Sequence, residues 1–320
     1  MIPKATSPIE DNLLSIIIPF LNEEEVLPML RARFERIEGM PPKWELILVS
    51  DGSTDGSIAL VEQWTTEDPR VRLVVLSRNF GHQAAVTAGL SFVSGDFVAI
   101  MDADLQDEPE VMLELLATAQ EGYDVVYATR EKRKSTLWKR CAYSAFYWLY
   151  GKLAETPVHL DSGDFCVLSR RAVDILNALP ERVRFVRGLR SWIGLRSTSI
   201  GVHRPDRAGG VAQYNMVKLI KLAMTGLTSF STKPLRLAIG VGFCLCIVAI
   251  ALAVFYLIKA LVFDLHSAAP GFATIVILLL FLNGVTMLLL GIIGEYLSQI
   301  FIEVKHRPTF VVERLVNLPE

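Results

Sequence analysis

Short apolar runs separated by polar segments recur along the first hundred residues. Each run has the length of a buried strand, and the segments between the runs carry apolar residues at helical spacing. The strands are predicted at residues 14–20, 44–49, 72–76 and 97–101, and the helices at 22–38, 57–66 and 83–93. Strands that alternate with helices in this way predict an α/β fold, with a mostly parallel sheet and helices on both faces.

A polar cluster follows each of the four predicted strands. The clusters are Asn22-Glu23 and residues 51–55, 77–81 and 102–107. In parallel sheets, ligands bind beyond the carboxyl ends of the strands. Because all four clusters fall at those ends, the pattern predicts that four separate loops converge on one crevice.

The fourth strand ends in two carboxylates one residue apart, Asp102 and Asp104. Residues at i and i+2 of a strand face the same side, so both carboxylates can bind the same ligand. A divalent ion such as Mg²⁺ or Mn²⁺ is a suitable ligand, since these ions bind carboxylates together with the oxygens of a substrate diphosphate. The alternative is that the acids only solvate a strand end, while Asp107 and Pro109 begin the next helix.

Two long apolar segments lie near the C-terminus, at residues 235–262 and 272–298, interrupted by Lys259, Asn283 and Glu295. Each exceeds the roughly 20 residues that a membrane-spanning helix needs. The short connector predicts a hairpin, and basic residues at both outer ends predict that those ends and the preceding domain are cytoplasmic. The basic residues are Lys218, Lys221, Lys233, Arg236, Lys305, His306, Arg307 and Arg314.

Composition agrees with a membrane protein, because 52% of the 320 residues are hydrophobic and the mean hydropathy is +0.39. A net charge of −2 argues against a general nucleic-acid binder. The four cysteines have neither zinc-site nor disulfide spacing. Residues 1–11 are polar and show no signal-peptide core, which agrees with a cytoplasmic start.

Two further segments have the composition of helices that lie in a membrane interface. The first, at about 136–151, is rich in aromatic residues beside Lys139 and Arg140. The second, at 215–233, is apolar with Lys218 and Lys221 on one side. For both, the alternative is an amphipathic helix that packs on the protein core.

Several separate motifs resemble one family. They are Ser-Asp-Gly-Ser-Thr-Asp at 50–55, Ser-Arg-Asn-Phe-Gly-His at 77–82, Asp-Ala-Asp-Leu-Gln-Asp at 102–107, Asp-Ser-Gly-Asp-Phe at 161–165, Gly-Glu-Tyr-Leu at 294–297 and Val-Lys-His-Arg-Pro at 304–308. The chain is similar to the GT-A, family 2 polyprenyl-phosphate glycosyltransferases, close to bactoprenol glucosyltransferases and related to dolichol-phosphate mannose synthases. The resemblance covers nearly the whole chain.

This resemblance implies inverting transfer of a sugar from a nucleotide diphosphate to undecaprenyl phosphate on the cytoplasmic leaflet. UDP-glucose is the expected donor, with GDP-mannose, UDP-galactose and amino-sugar donors as alternatives. The implied organisation is a GT-A domain at 1–214, a juxtamembrane helix at 215–233, a transmembrane hairpin at 234–299 and a cytoplasmic tail at 300–320. A Mg²⁺ or Mn²⁺ cofactor, a location in the bacterial inner membrane and a homotetramer are further expectations.

The resemblance also implies roles for individual residues. The residues that it implies in nucleotide binding are Pro19, Asn22, Glu23, Asp51, Ser53, Asn79 and Asp102. The implied metal ligands are Asp102, Asp104 and Gln106, and the implied catalytic residues are Asp104, Asp161 and Asp164. The chain departs from relatives at Ser50, where Asp or Asn is common, and at Gln213, where a Lys commonly precedes the Tyr.

Arginines are the expected ligands of the acceptor phosphate and the diphosphate, because the guanidinium group offers a fixed fork of donors. The candidates are Arg130, Arg187, Arg204 and Arg207. For the basic cluster at 130–134, a solvated surface turn is the alternative. His82 begins a predicted helix, where it either meets an anion or caps the helix.

A phosphate monoester acceptor is already anionic at neutral pH, so the reaction does not require a general base. We therefore expect Asp164 to position a substrate and to stabilise positive charge on the sugar. A processive polysaccharide synthase is disfavoured, because two spans cannot enclose a polymer and no Gln-x-x-Arg-Trp motif is present. The non-enzymatic alternative is a membrane anchor or a flippase-associated protein, although two spans with few ionisable residues make a poor transport path.

Overall fold

The computed structural model describes residues 12–130, 162–202, 231–262 and 272–318. Within these ranges, eight strands form one sheet in the order β7-β5-β6-β4-β1-β2-β3-β8. The strands are β1 Leu14–Phe20, β2 Trp44–Ser50, β3 Val71–Leu76, β4 Phe97–Ile100, β5 Val125–Arg130, β6 Ser162–Ser169, β7 Ser197–Val202 and β8 Val312–Val316. The four predicted strands are therefore adjacent to one another, and none of them is at an edge of the sheet.

The sheet is mixed. Strands β4, β1, β2 and β3 are parallel neighbours, and β5 is parallel to β7. Strand β6 runs antiparallel to both β4 and β5, and β8 runs antiparallel to β3. The prediction of a parallel sheet is confirmed for the strands that bear the polar clusters. Strand β6 instead enters from the opposite direction and brings residues 162–165 to the same edge of the sheet.

Eight helices accompany the strands in the described ranges. They are α1 Leu27–Phe34, α2 Ser57–Glu67, α3 His82–Phe92, α4 Val111–Gln120, α5 Arg170–Ala178, α6 Val186–Trp192, α7 Lys233–Val262 and α8 Phe272–Val304. Helix α1 is shorter than the predicted 22–38. It begins late because Asn22 has a φ of 53° and Pro28 lies in its first turn, and Gly39, with a φ of 82°, ends the segment that follows.

The central strands are buried on both faces of the sheet. One apolar layer packs them against α1, α2 and α4, and a second packs them against α3, α5 and α6. Each fully buried Ile or Val contributes on the order of 2 kcal/mol to folding. Helix α3 lies especially close to β1, because a Cβ at Gly89 would be 2.4 Å from Cγ2 of Ile17. This contact fixes the helix whose first residue is His82.

The two predicted apolar segments are helical, since 235–262 falls within α7 and 272–298 within α8. In the described residues, one stretch, Phe281–Val304, is long and apolar enough to cross a membrane by length and composition. Its side chains are mostly exposed, as are many along α7. The two-span hairpin stays a prediction, and the interface helix at 136–151 and most of the helix at 215–233 lie outside the described residues.

The chain returns to the sheet after α8. Strand β8 pairs with β3, the Ser77 N–H donates to Val311 O at 3.0 Å, and Arg314 forms an ion pair with Glu62 at 2.6 Å. The side-chain amide of Asn317 donates to Thr65 O and Val71 O at 2.8 and 2.9 Å. The end of the chain, expected as a tail, thus contains an edge strand of the sheet.

Candidate active site

The turn after β2 is joined to the loop after β3 by a buried carboxylate. Asp51 is 4% exposed, and it accepts the Phe80 N–H at 2.8 Å and the Gly81 N–H at 3.0 Å. Burial raises the pKa of Asp51, and the two backbone donors offset that rise only in part. Asp51 therefore holds the loop after β3 through main-chain contacts.

Gly52 permits these two loops to touch. Its φ is +72°, and a Cβ there would lie 2.4 Å from the main-chain carbon of Arg78 and 2.7 Å from the nitrogen of Asn79. Backbone atoms cannot yield as a flexible side chain can, so any residue larger than glycine forces the loops apart. The glycine of the Ser-Asp-Gly-Ser-Thr-Asp motif thus has a direct steric function.

The loop after β1 joins the same group. Asn22 accepts the Thr54 N–H at 2.8 Å through its side chain and donates its own N–H to Ser53 Oγ at 3.1 Å. The Glu23 N–H donates to Ser57 Oγ at 2.8 Å. Buried Pro19 pairs with Val49 just before these loops. The residues predicted to bind the nucleotide, Asp102 aside, thus come from three adjoining loops and the end of β1, with Asn79 exposed at the surface.

A charged cluster lies beside these loops, at the meeting point of β4, β6, α3 and α6. His82 Nε2 is 3.0 Å from Asp164 Oδ2 and 3.6 Å from Asp102 Oδ1. Arg187 donates two hydrogen bonds to Asp164, from Nε at 2.7 Å and from Nη2 at 2.6 Å. Asp164 is 4% exposed, so its charge is balanced almost wholly by Arg187 and His82.

The pKa values follow from this pairing. Burial lowers the pKa of His82, but the hydrogen bond to Asp164 and the charges of Asp164 and Asp102 outweigh it and raise the pKa to about 9. Burial would raise the pKa of Asp164, yet the charge and hydrogen bonds of Arg187, with those of His82, hold it well below the usual range. The cluster is therefore a fixed carboxylate between two cationic groups.

A second arginine supports the strand that carries Asp164. Arg190 is 2% exposed, and its guanidinium donates to the carbonyls of Gly163 and Asp164 at 3.1 and 3.0 Å and to the sulfur of Cys166. Arg187 and Arg190 are nearly one turn apart on α6, so one helix holds both the carboxylate and the main chain of Asp164. Arg190 was not identified from the sequence, although the spacing of Arg187 and Arg190 at i and i+3 indicates that both lie on one face of a helix.

A cavity of about 270 Å³ opens next to the cluster. It is lined by residues 80–84 together with Asp164, Phe185 and Arg187. The Val186 N–H donates to the side chain of Gln83 at 2.9 Å, which ties the start of α6 to the start of α3. The cavity therefore lies between two helix beginnings that bear cationic side chains.

The acidic motif after β4 divides into two parts. Asp102 is in the charged cluster, with a side chain that is 28% exposed. Asp104 accepts the Gln106 N–H at 3.1 Å, within a turn where Leu105 has a φ of 57°. Atoms of His82, Asp102 and Asp164 lie within 4.8 Å of one another, which is close enough to surround a metal ion. Because Arg187 already occupies both oxygens of Asp164, that carboxylate is a poor metal ligand in this arrangement, and the Asp102–Asp104 segment fits a hard cation better.

The remaining predicted residues contribute less to this picture. Arg130 is the last residue of β5, and Asp161, Arg204 and Arg207 lie outside the described residues, as do residues 131–134. Helix α3 has Gly81 at its N-terminal cap with a φ of +100°, and the His82 ring bonds to Asp164. The side chain of His82 is thus a partner of Asp164, and the capping alternative is wrong.

Comparison with known proteins gives a consistent result. Residues 15–176 match the family described as Glycosyl transferase family 2. The chain is 38% identical over 309 residues to the uncharacterized glycosyltransferase YkcC of Bacillus subtilis (strain 168), covering 94% of this chain and 93% of that protein.

Two relatives carry more specific names. The chain is 34% identical over 303 residues to the SfII prophage-derived bactoprenol glucosyl transferase of Shigella flexneri, covering 94% of this chain and 97% of that protein. It is 33% identical over 304 residues to the prophage bactoprenol glucosyl transferase homolog of Escherichia coli (strain K12), covering 94% and 99%. The similarity thus extends well beyond the family domain into the C-terminal helices.

Proposed function

We propose, since this chain belongs to glycosyl transferase family 2, that it transfers glucose from UDP-glucose to undecaprenyl phosphate with inversion at the anomeric carbon. The names of the full-length relatives support a bactoprenol acceptor and a glucosyl group. The observation that carries the proposal is the Asp164 cluster beside the Asp51 turn, in which a buried ionised carboxylate lies next to the loops that we assign to nucleotide binding.

The reaction forms a bond between an oxygen of the lipid phosphate and the anomeric carbon of the sugar. The bond from that carbon to the β-phosphate oxygen breaks, and UDP leaves with the electron pair. Asp164 stabilises the positive charge that develops on the sugar, while Arg187 and His82 offer N–H donors to phosphate oxygens. The acceptor is already an anion, so no side chain has to remove a proton from it.

A divalent cation fits the carboxylates after β4. Asp102 and Asp104, with Gln106, are the residues that would hold it, because hard ions prefer oxygen ligands and Asp102 is partly exposed toward the cluster. When bound, Mg²⁺ or Mn²⁺ supplies Lewis-acid neutralisation of the leaving diphosphate. Asp161 is a further proposed catalytic residue, and Arg130, Arg204 and Arg207 complete the proposed ligands of the acceptor phosphate and the diphosphate.

The proposed organisation keeps the catalytic domain and both termini in the cytoplasm of a bacterium. Residues 1–214 form that domain, with an interface helix at about 136–151, and residues 215–233 form a juxtamembrane helix. Residues 234–299 form a two-span hairpin, 300–320 follow it, and four chains form a homotetramer. The exposed apolar side chains of α7 and α8 support membrane insertion of both helices.

The test is transfer of radiolabelled sugar to undecaprenyl phosphate by the detergent-purified protein, with and without Mg²⁺ or Mn²⁺. We expect metal-dependent lipid product from UDP-glucose, strong loss in Asp104→Ala and Asp164→Asn, and wild-type product in Asp174→Asn. Asp174 is a suitable control because it is an exposed aspartate, 62% exposed, on α5. If product forms only from GDP-mannose or another donor, the assignment of UDP-glucose as the donor is wrong. If no donor gives product, the proposal is refuted.

A further inference from the structure

The last turn of α8 contacts the catalytic domain through one carboxylate. Glu303 accepts the Arg182 N–H at 2.8 Å through Oε1 and at 3.0 Å through Oε2, and it accepts the Val183 N–H at 3.0 Å. An acid near the C-terminus of a helix is disfavoured by the helix dipole. Its presence there is explained by the two backbone donors, which come from residues 121 and 120 positions away.

These two donors belong to the segment that leads directly into α6. Val186 begins the helix, its N–H is bonded to Gln83, and Arg187 in the first turn binds Asp164. Phe185, between Glu303's partners and Arg187, lines the cavity. Only three residues thus separate the Val183 contact from the guanidinium that holds the buried carboxylate.

Helix α8 is itself held on both sides of Glu303. Seven residues before it, the hydroxyl of Tyr296 donates to Ser231 O at 2.6 Å. After it, the chain continues into β8, which pairs with β3 at the edge of the sheet. Glu303 therefore sits between two attachments of the helix to the rest of the protein.

We propose that Glu303 is a positioning residue, which sets the start of α6 and thereby holds Arg187 against Asp164. The inference rests on the proposed function for its kinetic consequence, and on the structure alone for its effect on α6. It makes the end of the apolar helix part of the support of the transfer site. The rival role is a simple anchor of the helix end, with no effect on the site.

The variants are Glu303→Ala and Glu303→Gln, with Glu313→Ala as the matched control. Glu313 is an exposed glutamate on β8, ten positions further along. Glutamine retains an oxygen that can accept both N–H groups, as Oε1 of Glu303 does, so Glu303→Gln should stay close to wild type. Alanine removes the acceptor from both.

The first readout is hydrogen–deuterium exchange of the detergent-purified full chain without substrates. In Glu303→Ala we expect faster exchange at residues 182–183 that also spreads into α6, 186–192, and no change in the control. Faster exchange confined to 182–183, or no change at all, would overturn the proposal. This readout holds whether or not UDP-glucose is the donor.

The second readout is steady-state transfer with the donor that the wild-type protein uses. We expect kcat of Glu303→Ala to fall roughly tenfold, as small displacements of a catalytic group do, while the KM for the donor changes less than about twofold. Equal loss in Glu303→Gln, or a rise in donor KM matching the fall in kcat, would show a general disturbance and overturn the positioning role.

Discussion

Arg187→Ala should destabilise the catalytic domain far more than loss of a surface ion pair. Arg187 gives Asp164 two short hydrogen bonds, and the Asp164 side chain is 6% exposed, whereas that of Arg187 is 30% exposed. Removal of Arg187 therefore leaves a buried carboxylate with His82 at 3.0 Å as its remaining side-chain partner among those described.

The size of the effect follows from this geometry. Breaking a buried ion pair by removing one partner costs about 3–5 kcal/mol. Because His82 remains and Arg187 is partly exposed, we expect a loss smaller than that, about 2–3 kcal/mol in the free energy of unfolding. For a domain of this size, that corresponds to a melting temperature lower by about 5–10 °C.

Thermal unfolding of the purified protein measures this prediction, and Arg33→Ala is its control. Arg33 also makes two hydrogen bonds to one carboxylate, that of Glu110, at 3.2 and 3.0 Å, but both side chains are more exposed. Its loss should cost at most about 1 kcal/mol. Adding Asp164→Asn to Arg187→Ala should restore about half of the lost stability, because the unpaired charge is gone. Equal melting temperatures for Arg187→Ala and Arg33→Ala would refute the reasoning.

Three further predictions concern the packing and the site. Gly89→Ala should lower the melting temperature, at a cost of about 1–3 kcal/mol, because the new methyl group meets Ile17 in a filled core; a wild-type melting curve would contradict this. Arg190→Lys should reduce transfer roughly tenfold or more with little change in nucleotide affinity by calorimetry, since a lysine cannot reach both carbonyls and the sulfur at once; full activity would count against the role of Arg190. Asp102→Asn should weaken Mn²⁺ binding, followed by electron paramagnetic resonance, roughly tenfold or more, and unchanged binding would remove Asp102 from the metal site.

The strands β1 to β4 and the loops that follow them were predictable because their sequence signals are local. An apolar run that is buried on both faces, such as Leu14–Phe20, can be predicted as a strand without knowing which strands lie beside it. The polar residues that follow must then lie at one edge of a parallel sheet. For this reason the end of β1 and the loops after β1 and β2 lie together as expected. They carry Pro19, Asn22, Glu23, Asp51 and Ser53, and their hydrogen bonds are largely with neighbouring loops.

Antiparallel pairing and long-range ion pairs could not be predicted in the same way. Strand β6 lies between β4 and β5, and β8 joins β3 from the far end of the chain, pairings that depend on tertiary packing. The hydrogen bond between His82 and Asp164 joins residues 82 positions apart in the sequence. The hydrogen bond from the Arg182 N–H to Glu303 joins residues 121 positions apart. Each of these residues alone has an ordinary explanation on the surface or at a helix end, so only their positions in space reveal the contacts.

The two halves of the site differ in what holds them, and this difference bears on substrate selection. On the side proposed to bind the nucleotide, Asp51 and Asn22 fix the loops largely through main-chain hydrogen bonds, and Gly52 packs backbone against backbone. Around Asp164 the geometry depends on side chains of α6, whose start is bonded to Gln83 of α3 and follows the segment that Glu303 of α8 contacts. A main-chain framework resists substitution, whereas a side-chain framework can be shifted by one residue at its support. On the function proposed here, variation at such supports should therefore alter transfer to the lipid phosphate more readily than it alters recognition of the nucleotide.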